Sequence, residues 1–193
     1  MSSVDARDSA ARNRRSDALR NEQALLAAAA DVFVTSGVDA PIRQIAAAAG
    51  VGVGTIYRHF PTRSELVVAV YRHQVDACAA AAPALLTAAA APIDALRDWL
   101  DLFVDFLVTK HGLADLLRSD SVTFGALHAD FLDRLVPACA RVLKAAREAG
   151  EVRGGVDAYE LMRGIGNLCI GHQDDPGYEP RKLVALLLEG LRR

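Results

Sequence analysis

The chain has 193 residues, a formal net charge of −2 and a 52% hydrophobic content. This is ample for a buried core in one or two compact domains, and the overall charge is not that of a bulk polyanion binder. No stretch is apolar for long enough to span a bilayer, and the first residues do not read as a secretory signal. The three cysteines, Cys78, Cys139 and Cys169, are far apart and form neither a metal spacing nor a disulfide framework, so a reducing cytoplasm is the expected setting.

The charge is uneven. Residues 1–75 hold nine arginines against seven acids, whereas the remainder is net acidic. A mildly basic front end on an acidic body is compatible with a small DNA-binding head. Alanine-rich runs such as residues 27–30, 46–49 and 79–82, with no period-two alternation anywhere, predict an all-α protein of about nine helices.

In chain order, residues 1–16 are polar and carry Arg7, Arg12, Arg14 and Arg15 without an apolar period, so a flexible arm is expected. A helix is predicted over 17–35, with Leu26, Ala29, Ala30 and Phe33 on one stripe and Gly37 as its stop. Pro41 opens a short helix that buries Ile42, Ile45 and Ala49 and ends at Gly50. Gly52 serves as the N-cap of a second short helix over 53–60, and Pro61 stops it. At 100° per residue, Val53, Ile56, Tyr57 and Phe60 share one arc, while Gly54, Thr55, Arg58 and His59 share the other. Thr62 caps the following helix, with Glu65 placed to complete a capping box.

Two short helices joined by a glycine-containing turn and packed on a third make a helix-turn-helix, whose second short helix enters the major groove. Thr55 is short enough for close approach and can touch a thymine methyl, and Gly54 removes a steric block. Arg58 can contact guanine or phosphate, and Tyr57 and His59 can donate to phosphates at the groove rims. Arg43 and Arg63 are expected to stand near the backbone on either side. An ordinary amphipathic helix with a solvated polar face has the same periodicity.

The stretches Ala-Asp-Val-Phe-Val-Thr-Ser-Gly (30–37), Ile-Arg-Gln-Ile-Ala-Ala-Ala-Ala-Gly-Val (42–51) and Gly-Thr-Ile-Tyr-Arg-His-Phe-Pro-Thr-Arg-Ser-Glu-Leu (54–66) resemble the DNA-binding domain of the TetR family of regulators. The resemblance covers about residues 17–75 and implies a homodimeric regulator of double-stranded operator DNA. It places Thr55 near base edges and Tyr57 and His59 on phosphates, with Arg63 where the family usually has lysine. Gly52 and Val53 depart from the family's usual serine and polar or basic residue, so Arg43, Arg58 and the arginine arm are expected to carry more of the affinity.

Residues 76–193 are expected to form a sensing and dimerisation body. Its predicted helices cover 62 to at least 79, with Pro83 kinking or ending the first, then 92–110, 113–118, 123–149, 157–170 and 180–192. His111 and Gly112 are expected to end the helix that starts at Pro92, and Pro137 to distort the one over 123–149. Trp99, Phe103, Phe106, Phe124, His128, Phe131 and Cys139 are candidates to line an effector pocket, and all fit plain core equally well. Gly164 and Gly166, around Asn167, lie inside a predicted helix, where glycine costs stability that close helix approach offsets. The TetR resemblance implies that the last two helices form the dimer interface, which makes Gly164, Gly166, Asn167, Leu183 and Leu187 candidates for it. The segments Thr-Lys-His-Gly-Leu-Ala (109–114) and Ala-Gly-Glu-Val-Arg (149–153) resemble one C-terminal subfamily of TetR regulators.

The expected function is thus an operator-binding repressor released by a small-molecule effector; the alternative is a DNA-binding regulator with no ligand. No paired carboxylates, nucleophile elbow, metal motif or phosphate loop is legible, so neither enzyme chemistry nor a cofactor or metal is expected. His172, Asp174 and Asp175 read as a polar inter-helix loop.

Overall fold

Helix α1 (Ser3–Ser36) contains no proline or glycine, and its Leu25, Leu26, Ala29, Ala30 and Phe33 bury the stripe that the sequence predicts. The computed structural model describes residues 3–116, 121–170 and 177–193, with backbone only for 3–15, 108, 113, 115, 116, 121, 122 and 124. Residues 3–16, expected as an arm, continue α1 as helical backbone. Alanine, serine and arginine tolerate helix without an apolar face, so the missing period did not mark a boundary. The helix ends at Gly37, whose φ of 75° suits a residue without Cβ and whose N–H donates to the Phe33 carbonyl at 2.9 Å.

Helices α2 (Ile42–Ala49) and α3 (Val53–His59) follow, then α4 (Arg63–Ala88), α5 (Pro92–Leu116), α6 (Ser121–Glu148), α7 (Ala158–Leu168) and α8 (Pro180–Leu191). The described residues therefore hold eight helices rather than about nine. The separate helix expected over 113–118 is the continuation of α5 as far as Leu116, and residues 117–120 lie outside the described residues. Gly112 lies inside α5, not at its end. It is buried, and a Cβ there would overlap the Val38 side chain, so what demands glycine is close approach and not a left-handed turn. Pro83 and Pro137 also lie inside helices; α4 continues to Ala88 past Pro83.

Helices α4, α5 and α6 pack mutually to form the centre of the body; α7 lies against α6 and α5, and α8 against α5 and α7. Trp99 is fully buried and donates its indole N–H to the Cys78 carbonyl at 2.9 Å, tying α5 to α4. Tyr71 donates to the Leu127 carbonyl at 2.9 Å, tying α4 to α6. The buried cluster is continuous from Leu25 in α1 to Leu188 in α8, so head and body share one core, with α4 common to both. Polar links tie the C-terminal helix to the body. Arg181 of α8 pairs with Asp101 at 3.1 Å and with Asp105, and the Arg153 N–H donates to the Leu191 carbonyl at 2.8 Å. No helix among the described residues is long and apolar enough to cross a membrane.

Candidate functional sites

The turn between α2 and α3 depends on Gly50, whose φ of 66° lies in the left-handed region. Its N–H donates to the Ala47 carbonyl at 3.2 Å, and the next N–H, of Val51, reaches back to Ala46 at 3.0 Å. Gly52 is the N-cap of α3, with extended backbone and no side chain to cap with. Ile56 is fully buried and Phe60 nearly so, which fixes the inner face of α3. Gly54, Arg58 and His59 are exposed and Thr55 is half-buried. Tyr57, which periodicity puts on the packing arc, is 49% exposed and stands with the polar set. Arg43 is exposed on α2. Among the described residues, the side chains of Arg43 and Arg58 make no hydrogen bond or ion pair. The sequence has no carboxylate between Asp39 and Glu65. The result is an uncompensated positive face rich in hydrogen-bond donors.

Arg63 does not belong to that face. Its guanidinium turns inward and donates to the Val38 carbonyl and, at 2.6 Å, to that of Ala40, and it lies 5.8 Å over the Phe33 ring. Expected as an outward backbone contact, it instead clamps the α1–α2 loop. Thr62 caps α4 as expected, its Oγ1 accepting from the Glu65 N–H at 3.2 Å.

In the body, a cleft of about 140 Å³ lies between α5, α6 and α7. Phe103, His128 and Phe131 line it. Trp99, Phe106 and Cys139 do not: all three are fully buried core, and Phe106 packs its ring between Tyr71 and Phe131. The side chain of Phe124 lies outside the described residues, as do His172, Asp174 and Asp175. The remaining wall includes Lys110, His111, Tyr159, Met162 and Arg163. Lys110 is half-buried with its ammonium 5.3 Å over the Phe131 ring, and burial lowers its pKa from the usual lysine value. The His128 pKa is lowered too, first by burial and then by the positive charges of Lys110 and Arg163. Burial raises the Cys78 and Cys139 thiols to about 12 and Cys169 to about 11.

Gly166 and Asn167 border the same cleft. A Cβ on Gly164 or Gly166 would meet nothing within 4 Å, so no contact within the chain requires those glycines. Leu183 is exposed and Leu187 half-buried on α8; Ile170, after α7, and Leu186, on α8, are exposed at 63% and 67%.

Comparison with known proteins separates the two halves in the same way. Residues 25–70 match the family described as bacterial regulatory proteins, tetR family, and residues 91–193 match the C-terminal domain of SbtR-like transcriptional regulators. The crystal structure of a TetR transcriptional regulator from Streptomyces coelicolor is similar at 35% identity over 89% of this chain and 98% of that one, with a TM-score of 0.68. The chain belongs to the TetR family. A second TetR regulatory protein, from Mycobacterium vanbaalenii, is similar at 32% identity over 93% and 99% of the two chains, with a TM-score of 0.64. A putative transcriptional regulator from Saccharomonospora viridis in complex with choline shares the fold at 20% identity over 92% and 99% of the two chains, with a TM-score of 0.58.

This TetR-family chain is therefore a DNA-binding transcription regulator built on a helix-turn-helix. Its cleft includes residues that sequence reasoning passed over, Lys110 and Arg163 above all. A signal for the first was present: Phe103, Leu107 and Lys110 are spaced i, i+4, i+7, so a lysine continues an apolar stripe of α5. Arg163 carries no such signal, because it is an exposed arginine on the polar side of α7.

Proposed function

We propose that this regulator binds a palindromic operator as a homodimer, represses from it, and is released when a small molecule occupies the body. In this reading residues 17–75 form the head and 76–193 the body. Gly54, Thr55 and Arg58 face base edges, and Tyr57, His59 and Arg43 hold phosphates. Arg63 supports the head from within. The observation that carries the reading is the α3 face: Gly54, Thr55, Tyr57, Arg58 and His59 flank the one buried isoleucine, in a stretch free of carboxylates.

Homodimerisation is supported by the exposed Ile170, Leu183 and Leu186 and by the open surfaces at Gly164 and Gly190, which admit close approach of a second copy. Two heads so joined are matched to half-sites about one helical turn apart. Release by an effector follows if the ligand-bound body favours a state whose heads no longer span adjacent grooves. A protein of the same fold is in complex with choline, so this architecture admits a small-molecule site. The alternative, a regulator without a ligand, is favoured by one observation: Trp99, Phe106 and Cys139 fill the middle of the body instead of lining a cavity.

The test is footprinting of the purified protein on the DNA flanking its gene. The reading expects one protected inverted repeat and a species of two chains per site. Protection of a single half-site by one chain, or no protection, overturns it.

A further inference from the structure

The cleft between α5, α6 and α7 has an unusual distribution of charge. Its deep wall is apolar, made by Phe103, Leu107, Phe131 and Met162, all buried. Its rim carries Lys110, His111, His128 and Arg163, and no Asp or Glu is among the residues that line it. Lys110 makes no ion pair with any carboxylate among the described residues, and its contact is the face of Phe131. Arg163, on α7, donates to the Tyr159 hydroxyl at 3.3 Å and likewise has no acidic partner there. A half-buried ammonium is costly unless an anion meets it, because burial removes hydration that only a counter-charge or hydrogen-bond acceptor replaces. Burial lowers the pKa of Lys110, and no neighbouring acid opposes this.

We infer that the cleft is a site for a small organic anion, a monocarboxylate bearing one aromatic ring or a short acyl chain. The ring lies against Phe103 and Phe131, and the carboxylate faces Lys110 with Arg163 at the mouth. The volume sets the size. About 140 Å³ is close to that of an engineered apolar cavity known to hold benzene, of roughly 150 Å³. The polarity sets the sign: a cation such as an amine would place its charge against Lys110 and Arg163 at short range in a poorly hydrated site. The inference rests on the proposed sensing role of the body, and it names the chemistry of that site.

The experiment uses the full-length protein and three probes of one shape: benzoate, benzamide and benzylamine. Calorimetric titration reads binding, and operator anisotropy in parallel reads release. Benzoate is expected to bind at least about tenfold more tightly than benzamide, as befits a charge-assisted hydrogen bond, and benzylamine not to bind. Lys110→Met is expected to erase the preference for benzoate over benzamide, and Lys110→Arg, which keeps the charge, to retain it. Equal binding of benzoate and benzamide, binding of benzylamine, no binding of benzoate, or an undiminished benzoate preference in Lys110→Met overturns the inference. The two readouts keep the failures distinct. Benzoate bound through Lys110 without loss of operator affinity upholds the anion site and overturns the release mechanism. Release of operator by benzylamine or benzamide alone upholds release and overturns the anion site.

Discussion

In the head, Arg43 and Arg58 stand on an exposed surface. In the body, Lys110 stands at the wall of an apolar cleft. The exposed set costs little to keep charged, acts over a Debye length and suits a polyanion whose phosphates lie outside the protein. The half-buried lysine is charged at a cost and suits one small counter-ion that reaches it directly. Arg63 belongs to neither set. Its charge is used inside the head to hold the carbonyls of Val38 and Ala40. The lesson is that formal charge locates neither site. What a cation already touches decides what it is free to bind.

The contrast between Arg58 and Arg63 yields the largest expected effect on stability. Arg63→Ala leaves two loop carbonyls without their donor and removes the cation over Phe33, and is expected to lower stability by about 2–3 kcal/mol. Arg58→Ala is expected to stay within about 0.5 kcal/mol of the parent while losing operator affinity about tenfold. Chemical denaturation beside operator anisotropy checks both, and the reverse pattern would exchange the roles assigned here.

The next largest concerns the junction of head and body. Gly112→Ala forces a methyl onto Val38 and is expected to destabilise by about 1–3 kcal/mol. Val38→Ala in the same chain is expected to restore part of the loss. Thermal unfolding of the two single variants and the double variant measures the coupling, and strict additivity would show that the two residues do not meet.

A smaller effect is expected at Lys110. Its folded-state pKa lies below the unfolded one, so the unfolded chain holds the proton more readily and the charge destabilises the fold at neutral pH. Lys110→Met is therefore expected to raise Tm at pH 7. The advantage shrinks as pH rises through the folded-state pKa toward the ordinary lysine value of 10.5, because the wild-type lysine then loses its charge. An advantage that grows with pH would contradict the burial. Smallest of all, Cys78 and Cys139, with pKa values raised to about 12, stay protonated through pH 9 and are expected to react with a thiol reagent only as the protein unfolds.

How much was legible in the sequence follows the same division. The head is local: Gly50, the Gly52 cap, the buried Ile56 and the Thr62 cap fall within thirteen residues, and each appears where the pattern puts it. Tyr57 departs from its arc, because α3 buries its inner face mainly through Ile56, and a residue at the edge of the arc stays in solvent. Arg63 could not be placed, because the carbonyls it holds lie 23 and 25 residues earlier in a loop that no periodicity describes. In the body, the aromatic residues were identified correctly as apolar. Which of them lines a cleft depends on three helices meeting, so Phe103 and Phe131 border open space while Trp99 and Phe106 do not. Gly112 was misplaced for a related reason. A glycine read as a helix stop is inside the helix, where a neighbour 74 residues away leaves no room for a Cβ.

The central claim is that the outer face of α3 is what holds DNA. Its most direct test is fluorescence anisotropy of the operator duplex across a salt series, comparing the parent with a Tyr57→Ala, His59→Ala double variant. Both side chains are exposed, so the fold is expected to be unchanged by circular dichroism. The account predicts a loss of affinity of about 100-fold at every salt concentration, as two hydrogen bonds to phosphates are removed. Parent-like affinity in the double variant would contradict it.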